Sequence, residues 1–188
     1  PFQLEHTDEQ TGIVSFATIC TAFSANPAHH GWITAAHCIA DSETGEFYAA
    51  KFYIDGHRAR IIEVNFTNDL ARVQTTEWGL PIGLKLAKRA PAVGDEVETL
   101  GYSWGEDRPY YYQGRVSRIA ADDKRLTFVH MFATGGQSGS PIVDRSGLVV
   151  GVAHTRKGGD ELHGVSPLLG FTSFNVLKAF DRGWVFQR

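Results

Sequence analysis

Apolar and polar residues follow one another along this chain in short runs broken by Gly, Pro, Asn and Asp, and helical spacing appears only near its end. Such runs, rich in β-branched and aromatic residues, predict strands at 13–21, 31–34, 49–54, 60–64 and 70–75. A second set is predicted at 96–100, 110–119, 125–130, 141–143, 148–154 and 164–167, with Asp122-Asp123-Lys124 as a hairpin turn. Between the sets, 78–92 carries Pro81, Gly83 and Pro91 and reads as a connection. A single helix is predicted from residue 173 or 174 to 181, capped by Thr172 or Ser173 and stopped by Gly183, with Phe174, Leu177 and Ala179 or Phe180 as its apolar stripe. Several short strands per half argue for an all-β protein built of barrels or sandwiches.

Composition narrows the class. In 188 residues, 43% hydrophobic and 21% charged content is that of a globular protein with a sizeable core, as one large domain or two small ones packed together. A net charge of -3 gives no basic field for nucleic acid or for an anionic membrane surface. No apolar run is long enough to cross a membrane as a helix. The chain starts Pro1-Phe2, which is expected of a processed or excised segment. Cys20 and Cys38 allow one intramolecular bridge, worth roughly 3 kcal/mol if formed, or two buried thiols.

Candidate chemistry centres on Gly135-Gly136-Gln137-Ser138-Gly139-Ser140-Pro141. A serine among residues with almost no side chain can expose its hydroxyl beside a hollow of backbone N–H groups, although the same sequence also suits a plain turn. Serine needs a base, and the base needs an orienting group. His37, among small residues in Thr34-Ala35-Ala36-His37-Cys38, supplies the first, and Asp69, opening Asp69-Leu70-Ala71-Arg72-Val73, supplies the second. The order His37, Asp69, Ser138 is one known order of an acyl-transfer triad.

These segments together resemble the chymotrypsin-like serine proteases, over about 12–177 of the chain. The resemblance implies two packed antiparallel six-stranded β-barrels with the site between them and a C-terminal α-helix outside. The corresponding boundaries are 1–82 for a barrel carrying His37 and Asp69, 83–94 for a linker, 95–172 for a barrel carrying Ser138, and 173–188 for helix and tail. It further implies a Cys20–Cys38 disulfide, an extracytoplasmic setting, and a monomer that hydrolyses peptide or protein substrates without metal or other cofactor. His37 is then the base, Asp69 its orienting group, Ser138 the nucleophile, and the N–H groups of Gly136 and Ser138 the oxyanion hole.

The details lean toward the secreted glutamyl endopeptidases and high-temperature-requirement proteases, through the nucleophile segment, Val149-Val150-Gly151-Val152 and Gly101-Tyr102-Ser103-Trp104-Gly105. Viral polyprotein-processing proteases share the pattern, and an inactive binding module is the remaining alternative. Gln137 stands where trypsin-type zymogens carry an Asp that pairs with a freed amine, so a hole held by local hydrogen bonds is expected. Substrate binding maps to Phe132, Ala133, Thr134, Gly135, Ala153, His154, Thr155 and Arg156. Phe132 is expected at the pocket base and Ala133 on its wall, with no acidic group for Lys or Arg. Glutamyl endopeptidases have Thr and His where this chain has Ala133 and Ala153, which points to an uncharged side chain unless a one-residue bulge brings in His154. His154 to Arg156 are expected on a strand edge that pairs with extended substrate. His29-His30 and Asp41, Glu43 and Glu46 lack metal-ligand spacing and read as solvated loop, and Tyr110-Tyr111-Tyr112 as barrel strand.

Overall fold

The structure, a computed structural model, describes residues 1–7, 10–11, 13–26, 30–48, 51–76, 80, 82–119, 126–157 and 166–181, and of residues 7, 26, 155–157 and 166 the backbone alone. The fold is chymotrypsin-like: two packed antiparallel β units and one helix. The first unit holds β1 (Phe2–Thr7), β2 (Val14–Cys20), β3 (Phe23–Asn26), β4 (Gly31–Thr34), β5 (Phe52–Ile54), β6 (His57–Asn65) and β7 (Leu70–Thr75). The second holds β8 (Glu96–Tyr102), β9 (Pro109–Ile119), β10 (Leu126–Ala133), β11 (Pro141–Asp144), β12 (Val149–Lys157) and β13 (Ser166–Thr172), followed by helix α1 (Phe174–Asp181).

The second unit is a closed six-stranded barrel in the order β10-β13-β12-β11-β8-β9. The first differs from the six-stranded expectation. It is a seven-stranded sheet, β2-β1-β5-β6-β7-β4-β3, whose end strands β2 and β3 are successive in sequence. The added strand is β1, where Phe2, Leu4 and His6 alternate with Gln3, Glu5 and Thr7. Phe2 is fully buried and stacks on Phe52 with ring centroids 5.6 Å apart. β3 is likewise beyond the predicted runs, and β13 extends past its predicted end to Thr172 because Leu169 and Phe171 bury inside the barrel. Pro167 sits where the β10–β13 register shifts, so its missing N–H breaks no paired position. The expected 122–124 turn and Gly183 lie outside the described residues.

Each unit has its own core, around Trp32, Phe52 and Val73 in the first and around Val97, Val129 and Phe171 in the second. A third cluster joins them: Phe23, Ile33 and Leu70 meet Val149, Val152, Leu177 and Phe180. Helix α1 therefore packs Leu177 and Phe180 where the two units meet and Phe174 against the core of the second unit. Arg72 on β7 holds the helix end, lying 4.3 Å from the Phe180 ring centre, donating to the Phe180 carbonyl and pairing with Glu63 at 3.0 Å.

Candidate active site

Register explains why His37 and Asp69 meet. Thr34 at the end of β4 pairs with Ala71 near the start of β7, so the residues after Thr34 and those before Ala71 leave the sheet at one edge. Beyond Thr34 the chain makes a 3-10 turn, Ala36–Cys38, whose small buried residues let it sit close to the sheet. Asp69 closes another short turn, Phe66–Asn68, opened by the Asn65 side chain accepting the Asn68 N–H at 3.1 Å. Asp69 itself has φ 51°, a left-handed conformation that Asp tolerates better than most residues.

The Asp69 carboxylate is fully engaged. Oδ1 accepts the His37 backbone N–H at 2.9 Å, and Oδ2 accepts His37 Nδ1–H at 2.7 Å. A second imidazole, His154, reaches the same Oδ2 through Nδ1 at 3.2 Å. Burial pushes the Asp69 carboxyl up, but the hydrogen bonds from His154 and His37 outweigh it and hold the group well below the ordinary carboxylate range. An ionised carboxylate only accepts, so both rings carry their proton on Nδ1 when neutral, leaving Nε2 of each with a lone pair on the far side.

His37 and His154 line a cavity of about 320 Å³ together with Ala133, Thr134, Gly135, Gln137, Ser138 and Leu169. Of the residues predicted from sequence, the structure thus brings together His37, Asp69, Ser138, Ala133, Thr134, Gly135 and His154. Phe132 is not at the base of this cavity: it is 57% exposed and points to the opposite side of β10 from the buried Met131 and Ala133. Ala153 is buried behind the cavity, its N–H bonded to the Ser140 carbonyl at 2.9 Å and its carbonyl accepting the Gly139 N–H at 2.7 Å. A register shift between Ala153 and Thr155 in the β12–β13 pairing puts the extra residue at His154. Thr155 and Arg156 have described backbone on β12, and their side chains lie outside the described residues.

The loop carrying Ser138 is tied down through its carbonyls. Gly135 C=O accepts Trp104 N–H at 2.9 Å, Gln137 C=O accepts Ser140 N–H at 2.9 Å, and Ser138 C=O accepts Thr21 N–H at 2.8 Å. The Thr21 hydroxyl donates to Gly136 C=O at 3.1 Å. Gln137 is 1% exposed and accepts Thr134 N–H at 3.1 Å, and Thr134 continues through Ser103 to Tyr112 at 2.9 and 3.0 Å. Thr21, Ser103 and Trp104 were not among the predicted site residues, because their partners lie far away in sequence. The tightest join is at Gly139, with φ 84°, packed against the Thr21 carbonyl and the Thr34 hydroxyl.

Cys20 and Cys38 form a disulfide with S–S 2.01 Å, so although both lie beside His37 their sulfurs are committed to each other. Asp41 uses Oδ1 to accept the N–H groups of Glu43 and Thr44 at 2.8 and 2.9 Å, which is a turn. His29 lies outside the described residues.

Comparison with known proteins gives the family. The trypsin-like peptidase domain matches residues 20–152, a span that includes His37, Asp69 and Ser138. The chain belongs to the trypsin-like peptidase family. None of the curated proteins matches this trypsin-like peptidase. Among solved structures it is similar to the HtrA-type protease AlgW with decapeptide, at TM-score 0.76 and 14% identity, covering 95% of this chain and 61% of that one. It is also similar to the active form of the Rv3671c protease from M. tuberculosis, at TM-score 0.71 and 17% identity, covering 100% of this chain and 81% of that one. At these identities the likeness carries the fold, and the chain spans about three fifths of the AlgW chain's length. No helix among the described residues is long and apolar enough to cross a membrane.

Proposed function

We propose that this trypsin-like peptidase is a serine endopeptidase, with Ser138 as nucleophile, His37 as base and Asp69 as the group that orients the base. The observation that carries the reading is the double tie of Asp69 to His37, through backbone N–H and Nδ1, with Ser138 on the same cavity as the His37 ring. The Ser138 hydroxyl attacks the scissile carbonyl carbon as its proton passes to His37 Nε2, and the carbonyl oxygen becomes an oxyanion received by the N–H groups of Gly136 and Ser138. The intermediate collapses, the C–N bond breaks and His37 gives its proton to the leaving amine. Water then repeats the sequence on the acyl-enzyme, returning Ser138. Asp69 remains ionised throughout and stabilises the imidazolium formed on His37.

The substrate is a peptide or protein bound in extended form, a reading supported by the decapeptide that accompanies the similar AlgW protease in its structure. The disulfide fits an extracytoplasmic setting, and the division into β units of 1–82 and 95–172 joined by 83–94 is part of the same reading. Among the described residues the cavity wall offers Ala133, Leu169, Thr134 and Gln137 and no carboxylate, which supports an uncharged side chain before the scissile bond. A second reading, an acidic side chain met by His154, is favoured by the bulge that brings this ring to the cavity.

The test compares wild type with Ser138→Ala on a peptide library, alongside labelling by a serine-directed phosphonate. The expected result is labelling at Ser138 and a loss on the order of 10⁴-fold or more in the variant. Full hydrolysis by Ser138→Ala, or a wild type that neither cleaves nor reacts, overturns the endopeptidase reading and leaves a binding module. Cleavage after Glu or Asp selects the His154 reading, and a strong preference for Arg or Lys overturns both.

A further inference from the structure

An oxyanion hole works only if its N–H groups already point inward when charge develops. Each N–H is part of a planar peptide, so its direction is fixed by whatever holds the carbonyl of the preceding residue. For Gly136 N–H that carbonyl is Gly135, held by Trp104 N–H at 2.9 Å; for Ser138 N–H it is Gln137, held by Ser140 N–H at 2.9 Å. Between them lies the Gly136–Gln137 peptide, and a rotation there would disturb both neighbours. Its carbonyl is held by the Thr21 hydroxyl.

We propose that Thr21 is the positioning residue of the oxyanion hole, the first unit's clamp on the nucleophile loop of the second. The proposal rests on the serine endopeptidase reading. Thr21 is 3% exposed and makes contacts on every polar atom it has. Its N–H donates to Ser138 C=O at 2.8 Å, and its C=O accepts the Thr34 hydroxyl at 2.7 Å. Its Oγ1 accepts Tyr102 N–H at 2.9 Å, which leaves the hydroxyl proton for Gly136 C=O. Two segments of the second unit, the end of β8 and the nucleophile loop, are thus joined through one hydroxyl of the first.

The clamp is itself anchored. Thr21 follows Cys20, which is bonded to Cys38, the residue after His37. One covalent link therefore backs both the turn that carries the base and the residue that holds the hole. Gln137 is uncharged, its side chain accepts Thr134 N–H within its own loop, and among the described residues no hydrogen bond ties that side chain to the first unit. Threonine suits the position because its branched side chain is stiff at χ1.

The experiment uses Thr21→Val and Thr21→Ser in the full chain, with kcat and KM on a peptide substrate, inhibition by a matching peptide boronic acid, and thermal unfolding. Thr21→Val keeps the shape and the backbone N–H but strips the bonds to Gly136 C=O and Tyr102 N–H. It is expected to lower kcat on the order of 10- to 100-fold with KM changed by less than about threefold, because the hole acts on the transition state. Boronate affinity should fall by the same factor as kcat/KM, and Thr21→Ser should restore both to within about threefold. If Thr21→Val does not fold, Thr34→Val, which removes only the bond to the Thr21 carbonyl, should show the same kcat-selective loss at smaller size. A variant with wild-type kcat, a loss confined to KM, or Thr21→Ser as impaired as Thr21→Val overturns the proposal. A wild type that neither hydrolyses peptides nor reacts with phosphonate overturns the endopeptidase reading instead.

Discussion

Gly139→Ala tests how closely the two units are pressed together at the proposed active site. The residue has φ 84°, which costs a side-chain-bearing residue about 1 kcal/mol. A Cβ there would overlap the Thr21 carbonyl oxygen and the Thr34 hydroxyl and lie 3.1 Å from Ala35 N. The first and last of these are backbone atoms, so the overlap is relieved only by moving the nucleophile loop. That movement strains the Ser138–Thr21 and Gly139–Ala153 backbone hydrogen bonds, now 2.8 and 2.7 Å, each worth about 1 kcal/mol. With overpacking of about 1–2 kcal/mol, the total is roughly 4–5 kcal/mol. Gly147→Ala is the control: φ is 72° but nothing lies within 4 Å of the new Cβ, so only the conformational cost of about 1 kcal/mol remains. The difference of roughly 3–4 kcal/mol corresponds to about 6–16 °C in a chain of this size. Thermal unfolding of both variants measures it, and peptide hydrolysis should fall only in Gly139→Ala. Equal melting temperatures with full activity would refute the claim that this contact sets the loop.

Reducing the Cys20–Cys38 bridge, or replacing both cysteines by Ser, removes a cross-link spanning 18 positions and should cost about 3 kcal/mol, read as a melting temperature lower by about 6–12 °C. Asp69→Asn should lower kcat by about 10⁴-fold on a peptide substrate with the fold intact, since an amide can donate to His37 Nδ1 and so select the wrong tautomer. Because the Asp69 pKa is depressed on folding, its contribution to stability is complete above the unfolded carboxyl pKa of about 4 and is lost as pH falls through the lower folded value. Melting temperatures taken from pH 7 downward should therefore decline less steeply below about pH 4 in Asp69→Asn than in wild type. Arg72→Met should destabilise by about 2 kcal/mol by freeing the Phe180 carbonyl and the Phe180 ring, seen as faster amide exchange in α1 and a lower melting temperature.

What could be read from the sequence was what local pattern encodes. The strands around His37 and after Asp69 show as short apolar runs, and α1 as a stripe at helical spacing. The first strand, at 2–7, is not among the predicted runs, although its residues alternate and Phe2 is fully buried. Counting from Ser138 puts Phe132 at the pocket base, whereas strand parity gives the answer: Met131 and Ala133 face inward at 4% and 1% exposure, so Phe132 faces out at 57%. His154 depends on a bulge, and a one-residue register shift leaves no mark in a single sequence. Thr21, Ser103 and Trp104 are out of reach for another reason. Thr21 lies 115 positions from Gly136, and a hydroxyl after an apolar run says nothing of a partner that far along the chain.

The bonds that cross between the units run in both directions, which decides where the geometry of the proposed site comes from. The second unit contributes His154 to Asp69 of the first at 3.2 Å, while the first contributes Thr21 to Ser138 of the second at 2.8 Å. A slide of one unit over the other cannot keep both, because the contact on Asp69 comes from the second unit and the contact on Ser138 from the first. Beneath them the Ile33, Leu70, Val152 and Leu177 cluster is apolar and non-directional, so it supplies cohesion without fixing register to a fraction of an ångström. Register comes from the polar crossings and from Gly139, where no side chain fits. The distance between the proposed base and nucleophile is therefore a property of the joint, set by Thr21, Gly139 and His154 as much as by His37 and Ser138 themselves.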